Sequence, residues 1–298
     1  MLSLCLGVSG CSIRGYATRV LADSLSQSGT GFASDPDPEL VHDAVPFALK
    51  TMEQILAEQP RHTGLLTALA SGFTSYTYAF VQQEADEVEA REVALAAPIK
   101  RRAKGLYLRA RDYGLRGLEV RHPGLASALK SGEAEGGAAR RDALLAAVTA
   151  REVPLLYWTA ASWALGISAG RDEMHLVGQL PAVEALMARA AALDPDYDEG
   201  AIDEFYVSYD GGKDGAAAAA RQHLERAQAL CHGQRLGGPV SFAETVDVAA
   251  QNRAEFKDLL EKVVAYDVDQ AEGRRLANLI AQRRARWLLA RIEELFAE

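Results

Sequence analysis

The sequence predicts an all-α protein, a tetratricopeptide-repeat-like array of stacked helical hairpins with no sheet. Three observations carry this. Alanine is abundant, proline contributes only 10 of 298 residues, and hydrophobic residues make up 49%, a helix-forming composition. Segments of alternating, β-branched character are scarce. Most specific is a recurring apolar frame. In LPAVEALMARAAALDPDYDEG, Val183, Met187 and Ala190 fall on one helical face, and Pro195 lies just past the end, where it cannot continue the ladder.

The frame recurs as Ala48, Met52, Ile55, Pro60, then as Ala220, Leu224, Ala227, His232, and as Phe256, Leu260, Val263, Val268. Its last three endpoints, Pro195, His232 and Val268, are 37 and 36 residues apart. The period is close to the one of about 34 residues at which helix–turn–helix units stack. Small residues at the first and third positions admit a partner helix closely, so each copy reads as the second helix of a hairpin.

At the N-terminus, MLSLCLGVSGC has an apolar segment from Leu2 to Val8, then Ser9 and Gly10 before Cys11. This is the pattern of a bacterial lipoprotein signal: small flanks for the peptidase and a thiol to take the lipid, which then anchors the chain. No Lys or Arg precedes the apolar segment, and signal peptides usually run to about 15–30 residues. The expected organisation is a signal segment over 1–10, an anchor and tether over 11–34 with lipidated Cys11 at its head, and a helical domain over 35–298.

Asp35-Pro36-Asp37-Pro38 reads as an entry turn, with Asp37 capping a helix whose first residue is Pro38. That helix extends towards Glu58, and Pro46 predicts a kink or a fresh start near Asp43. A long helix is expected from about Gly64, carrying Phe73, Tyr76, Tyr78 and Phe80 as hairpin core. Acidic residues from Glu84 to Glu92 beside basic KRRAK at 100–104 predict a solvated, self-paired surface. Leu115, Leu118 and Pro123 echo the frame, and SGEAEGGA at 131–138 reads as a flexible link.

VPLLYWTAASWALGIS at 153–168 sets Tyr157, Trp158 and Trp163 among small residues. This suits core packing, a ligand pocket or a subunit interface, and 16 residues fall short of a bilayer span; no internal apolar run approaches the roughly 20 residues that a span needs. In the last helix Leu276, Ile280, Arg283, Trp287 and Arg291 share a stripe, placing Arg283 or Arg284 beside the apolar face. A buried arginine there requires a carboxylate, with Asp203 and Glu204 as candidates; the alternative is an arginine whose stem lies on the apolar face while its head reaches water.

Several chemistries fail on their spacing. Asp194, Asp196, Asp198 and Gly200 suggest a calcium loop, but the glycine is misplaced and Phe205 stands where glutamate is required. Gly211, Gly212 and Lys213 lack phosphate-loop spacing. Cys5, Cys11 and Cys231 form no metal or disulfide pattern, and Cys231 reads as a buried core or junction residue. The six histidines fall in no catalytic grouping, and His223 reads as a helix-surface residue with no partner. The net charge of −9 argues against a nucleic-acid surface. No catalytic residue, metal site or cofactor is expected.

The order of DPELVHDAVPFALKTMEQILAEQPRHTGLL, FTSYTYAFVQ, YWTAASWALGIS, LMARAAALDPDYDEGAIDEFYVSYDGG, HLERA and NLIAQRRARWLLARIEELF resembles the TatT family, from Asp35 to Phe296. These are T components of TRAP (tripartite ATP-independent periplasmic) transporters. The resemblance implies a periplasmic lipoprotein with a tetratricopeptide-like fold, a homotrimer, and pairing with the solute-binding P subunit. It also implies a non-enzymatic role in solute uptake, with an apolar ligand moving through a hydrophobic channel. The residues chosen for ligand or partner binding are Tyr157, Trp158, Trp163, Arg283, Arg284 and Trp287. The competing reading is a cytosolic tetratricopeptide-type adaptor that grips a partner peptide, with Cys11 incidental.

Overall fold

A computed structural model describes Val20, residues 22–23, 29–131 and 137–296. Cys11, segment 1–10, most of the 11–34 tether and the centre of the 131–138 link lie outside the described residues. Among those described there are helices and no strands.

Helix α1 is short (Gly29–Ala33). Helix α2 spans Pro38–Glu58, capped by Asp37, whose side chain accepts from the Glu39 and Leu40 amides. It continues through Pro46 with no restart at Asp43. The carbonyl that Pro46 leaves without a helical donor is that of His42, an exposed residue that water can serve. Helix α3 (Thr63–Tyr76) starts where His62 Nδ1 accepts from the Leu65 amide at 3.0 Å. It passes into a π-helix (Thr77–Gln82) and then α4 (Gln83–Glu89). Phe73, Tyr76 and Phe80 are buried as expected, but Tyr78 is 45% accessible. The wider π turn changes the phase of the helix and takes Tyr78 out of the packed face.

The charged run and the next frame echo belong to one helix, α5 (Val93–Arg121), with Leu115 and Leu118 buried. Glu89 does pair with Lys100, whereas Asp86 and Glu87 turn elsewhere. Helices α6 (Leu125–Lys130) and α7 (Gly137–Ala146) flank the 131–138 link, the second already helical at Gly137.

Helix α8 (Val153–Ala169) packs most extensively against α5. Their approach depends on glycine: a Cβ at Gly114 would sit on the Thr159 hydroxyl, and one at Gly117 would lie 2.6 Å from Leu155 Cδ2. A short α9 (Met174–Val177) leads to α10 (Leu180–Leu193), which also packs on α8. The 20-residue stretch Met174–Leu193 is long and apolar enough by composition to cross a membrane, contrary to the sequence reading. Between α9 and α10, however, the helix is broken, and Val183, Leu186, Met187 and Ala190 lie in the core with Trp163.

Helices α11 (Tyr197–Gly211) and α12 (Ala217–Leu230) pair closely. Then follow α13 (Gly237–Phe242), a second π-helix (Ala243–Asp247), α14 (Arg253–Ala265), a 3₁₀ turn (Val268–Arg274), α15 (Arg275–Ala290) and α16 (Ile292–Leu295). The apolar frame predicts the buried face of α10, α12 and α14: all three frame residues of each are core. In α2, Leu49 is buried while Ala48 is only partly so. Cys231 is a buried free thiol at the end of α12.

Candidate functional site

A half-open cavity of about 1820 Å³ is framed by α2, α3, both π-helices, α8, α11, α13, α15 and the 3₁₀ turn. Part of the lining is apolar, with Val41, Val45, Leu49, Met52, Phe80 and Ile280. The rest is polar and built around two arginines.

Arg284, on α15, has only 13% of its side chain accessible. Its Nε donates to Glu244 Oε2 at 3.1 Å and its Nη2 to the other Glu244 oxygen. Nη1 donates to Asp86 at 2.8 Å and to Gln83 at 3.4 Å. Glu244 belongs to the second π-helix, while Asp86 and Gln83 sit just past the first. Burial alone would lower the Arg284 pKa, but Glu244 and Asp86 outweigh it and hold the guanidinium firmly charged. Asp86 is shifted up, mainly by burial, against the pull of Arg284. The expected partners, Asp203 and Glu204, are therefore corrected. Sequence spacing located the buried arginine but not its carboxylates, which come from other helices.

The second arginine, Arg235, escaped sequence reading. Its Nε donates to Glu204 at 2.6 Å, and Nη1 donates to Asp198 through both its carboxylate (2.9 Å) and its carbonyl (3.0 Å). That carbonyl begins a left-handed turn, with φ of 45° at Asp198, 52° at Glu199 and 98° at Gly200. Glycine ends it because a Cβ there would come within 3.0 Å of Ala227 Cα on α12. The two non-glycine residues are strained in this region. Arg235 holds the first, and Arg274 holds Glu199 at 2.6 Å.

Two phenols face this polar locus. Tyr78 has no hydrogen-bond partner among the described residues, and it lines the cavity. Burial, with the charge of Glu244 next, pushes its pKa up to about 12. Tyr157 likewise lines the cavity, shifted upwards by burial and then by Glu204. Beside it, Trp158 also lines the cavity with its ring edge-on to Tyr157, which in turn packs on Tyr197, whose phenol is pushed up to about 12 by burial and then Asp198.

The six residues chosen from the sequence therefore separate. Tyr157, Trp158 and Arg284 come together on the cavity. Trp163 is 0% exposed in the core; its indole N–H donates to Gln179 at 2.8 Å and Arg111 lies over its ring. Arg283 is exposed and paired with Glu87 at 2.9 Å. Trp287 is sandwiched between Arg284 and Arg291.

Outside the cavity, the reading of His223 as partnerless is corrected. Its Nδ1 lies 2.7 Å from buried Asp203, and its ring stacks on Tyr206. Asp203 also accepts from Arg226 at 3.0 Å, so the cluster ties α11 to α12. No group of three metal-ligating residues occurs among the described residues.

The comparisons agree with the resemblance. The family described as TRAP transporter T-component matches residues 34–296. A protein of Treponema pallidum (strain Nichols), described as uncharacterized, is 29% identical over 321 residues, covering 99% of this chain and 95% of its own length.

Proposed function

The chain belongs to the TRAP transporter T-component family, and from that premise we propose a periplasmic, lipid-anchored accessory subunit of a TRAP-type uptake system. In this reading Cys11 carries the lipid, the helical domain assembles as a homotrimer, and it docks the solute-binding P subunit. The cavity receives an apolar ligand, and the protein performs no catalysis.

The observation that supports the ligand half is the cavity itself. Well-packed interiors leave few voids larger than a water molecule, and about 1820 Å³ exceeds the usual 300–1,000 Å³ of ligand sites. Its lining includes Met52, Phe80, Ile280 and Trp158, a surface for a chain-like molecule. The family supports the partner half.

The test is fractionation and sedimentation of protein expressed from its genuine start codon. Wild type should partition with membranes, and Cys11→Ala should release a folded, soluble protein. The lipid-free body should sediment as a trimer and shift further on adding a TRAP solute-binding P subunit from the same organism. A soluble wild type, or a monomer forming no complex at high concentration, would leave the cytosolic peptide-binding adaptor as the better reading.

A further inference from the structure

The polar part of the cavity lining has a definite sign. Arg284 is matched by two carboxylates, Asp86 and Glu244. Arg235 is matched by two more, Glu204 and Asp198. Together the clusters bring four carboxylates against two guanidiniums. Both clusters, with Tyr78 and Tyr157, line the same cavity and form its polar locus. The other arginines on the lining differ: Arg274 is paired with Glu199, Arg121 lies 3.7 Å from Glu152, and Arg121, Arg151 and Arg171 are solvent-exposed.

Hydrogen-bond capacity has the same bias. The Arg284 and Arg235 donors are largely occupied by their own carboxylates. What the locus offers a ligand is the remaining lone pairs of four carboxylates, together with the phenols of Tyr78 and Tyr157, which can accept or donate and have no hydrogen-bond partner among the described residues. An anionic head would meet a locus whose four carboxylates outnumber its two guanidiniums, and like charges repel. An ammonium brings three donors and a positive charge.

The positioning is deliberate in the backbone. Both π-helices lie on the cavity, one contributing Tyr78 and the other Glu244, and Arg284 bridges the second to the residues just past the first. π-turns inserted in α-helices are rare and concentrate at functional sites.

We propose that this locus receives the cationic head of an amphipathic ligand, a primary alkylammonium whose chain lies along Val41, Leu49, Met52 and Ile280. The proposal rests on the apolar-ligand reading and adds the charge of the head to it.

Calorimetric titration of the full chain with decylamine, decanol and decanoate below their micellar concentrations separates the two. Decylamine, protonated at neutral pH, should bind about tenfold or more tightly than decanol, a difference of about 1.4 kcal/mol, and decanoate should bind weakest. Glu244→Gln should remove most of the decylamine preference and leave decanol affinity unchanged. Tyr78→Phe, which touches no ion pair, should weaken decylamine several-fold and serves if the first variant does not fold. Decanoate binding as tightly as decylamine, or decanol binding with no preference for the amine, would overturn the cationic head while sparing the apolar cavity. Failure of all three to bind would overturn both.

Discussion

Trp158 and Trp163 are five positions apart on one helix and live in opposite environments. Around Trp163 the molecule is closed: α5, α8 and α10 meet at glycines and small residues, and the indole N–H has its partner in Gln179. Around Trp158 it is open, with ion clusters, two π-helices and unpartnered phenols lining a large void. The difference teaches that one uniformly apolar helix can serve stability on one side and binding on the other. Only the first is fixed by packing.

The sharpest way to break the comparison is to truncate both tryptophans. Trp163→Ala should cost about 3–5 kcal/mol in a chemical melt, as large-to-small changes in dry cores do. Of similar size is Arg284→Met, which strands Asp86 and Glu244 as buried charges without their cation, at about 3–5 kcal/mol. Arg284→Lys should recover only part of this, because a single ammonium cannot reproduce the two-pronged contact with Glu244.

Next comes Gly114→Ala on the closed side, where the new methyl meets Thr159; overpacking of this kind costs about 1–3 kcal/mol. The paired variant Gly114→Ala, Thr159→Ser should not rescue it, since the hydroxyl remains.

A smaller effect concerns pH. Asp247, on the second π-helix, is 1% exposed, and its Oδ2 meets no donor. Its neighbour Glu255 is also an acceptor, so the pair is satisfied only with a proton between them. Burial, then the Glu255 charge, pushes the Asp247 pKa up to about 7. The folded state therefore binds this proton more tightly than the unfolded chain, and stability falls as pH rises from about 4 towards 7. Asp247→Asn should flatten that slope and raise the melting temperature at pH 8 by a few degrees, about 1 kcal/mol. A melting curve still falling as steeply would point to another group. The smallest effect on stability belongs to Trp158→Ala, about 1 kcal/mol or less because its site is already open, although ligand affinity should drop. If it destabilises as much as Trp163→Ala, the open and closed faces are not distinct.

How much of this was legible follows from what a periodic pattern can encode. Val183, Met187 and Ala190 declare a buried face by spacing alone, and so do the equivalents on α12 and α14. Asp37 and Pro38 announce a helix start through local chemistry. The buried Arg284 was visible as a charge on an apolar stripe, but its partners stand 40 and 198 residues away, and nothing local marks them. Neither π-helix has a composition of its own, so Tyr78 read as core. The cavity is a place where side chains fail to meet, and no spacing rule records an absence. Arg235 had one available signal, a cation followed by glycines after a helix end, which names a turn but not a site.

The π-helices also set a length. A π-turn amounts to one surplus residue in an α-helix, and each α-helical residue advances the chain by about 100°. Deleting Ala79 would let the run from Thr63 to Glu89 close as an unbroken α-helix, which is locally the easier structure. Everything downstream would then be rotated by roughly a quarter turn, carrying Asp86 and Glu87 away from Arg284 and Arg283. The phase of this helix, more than the identity of any residue along it, is what keeps two distant parts of the chain in electrical register.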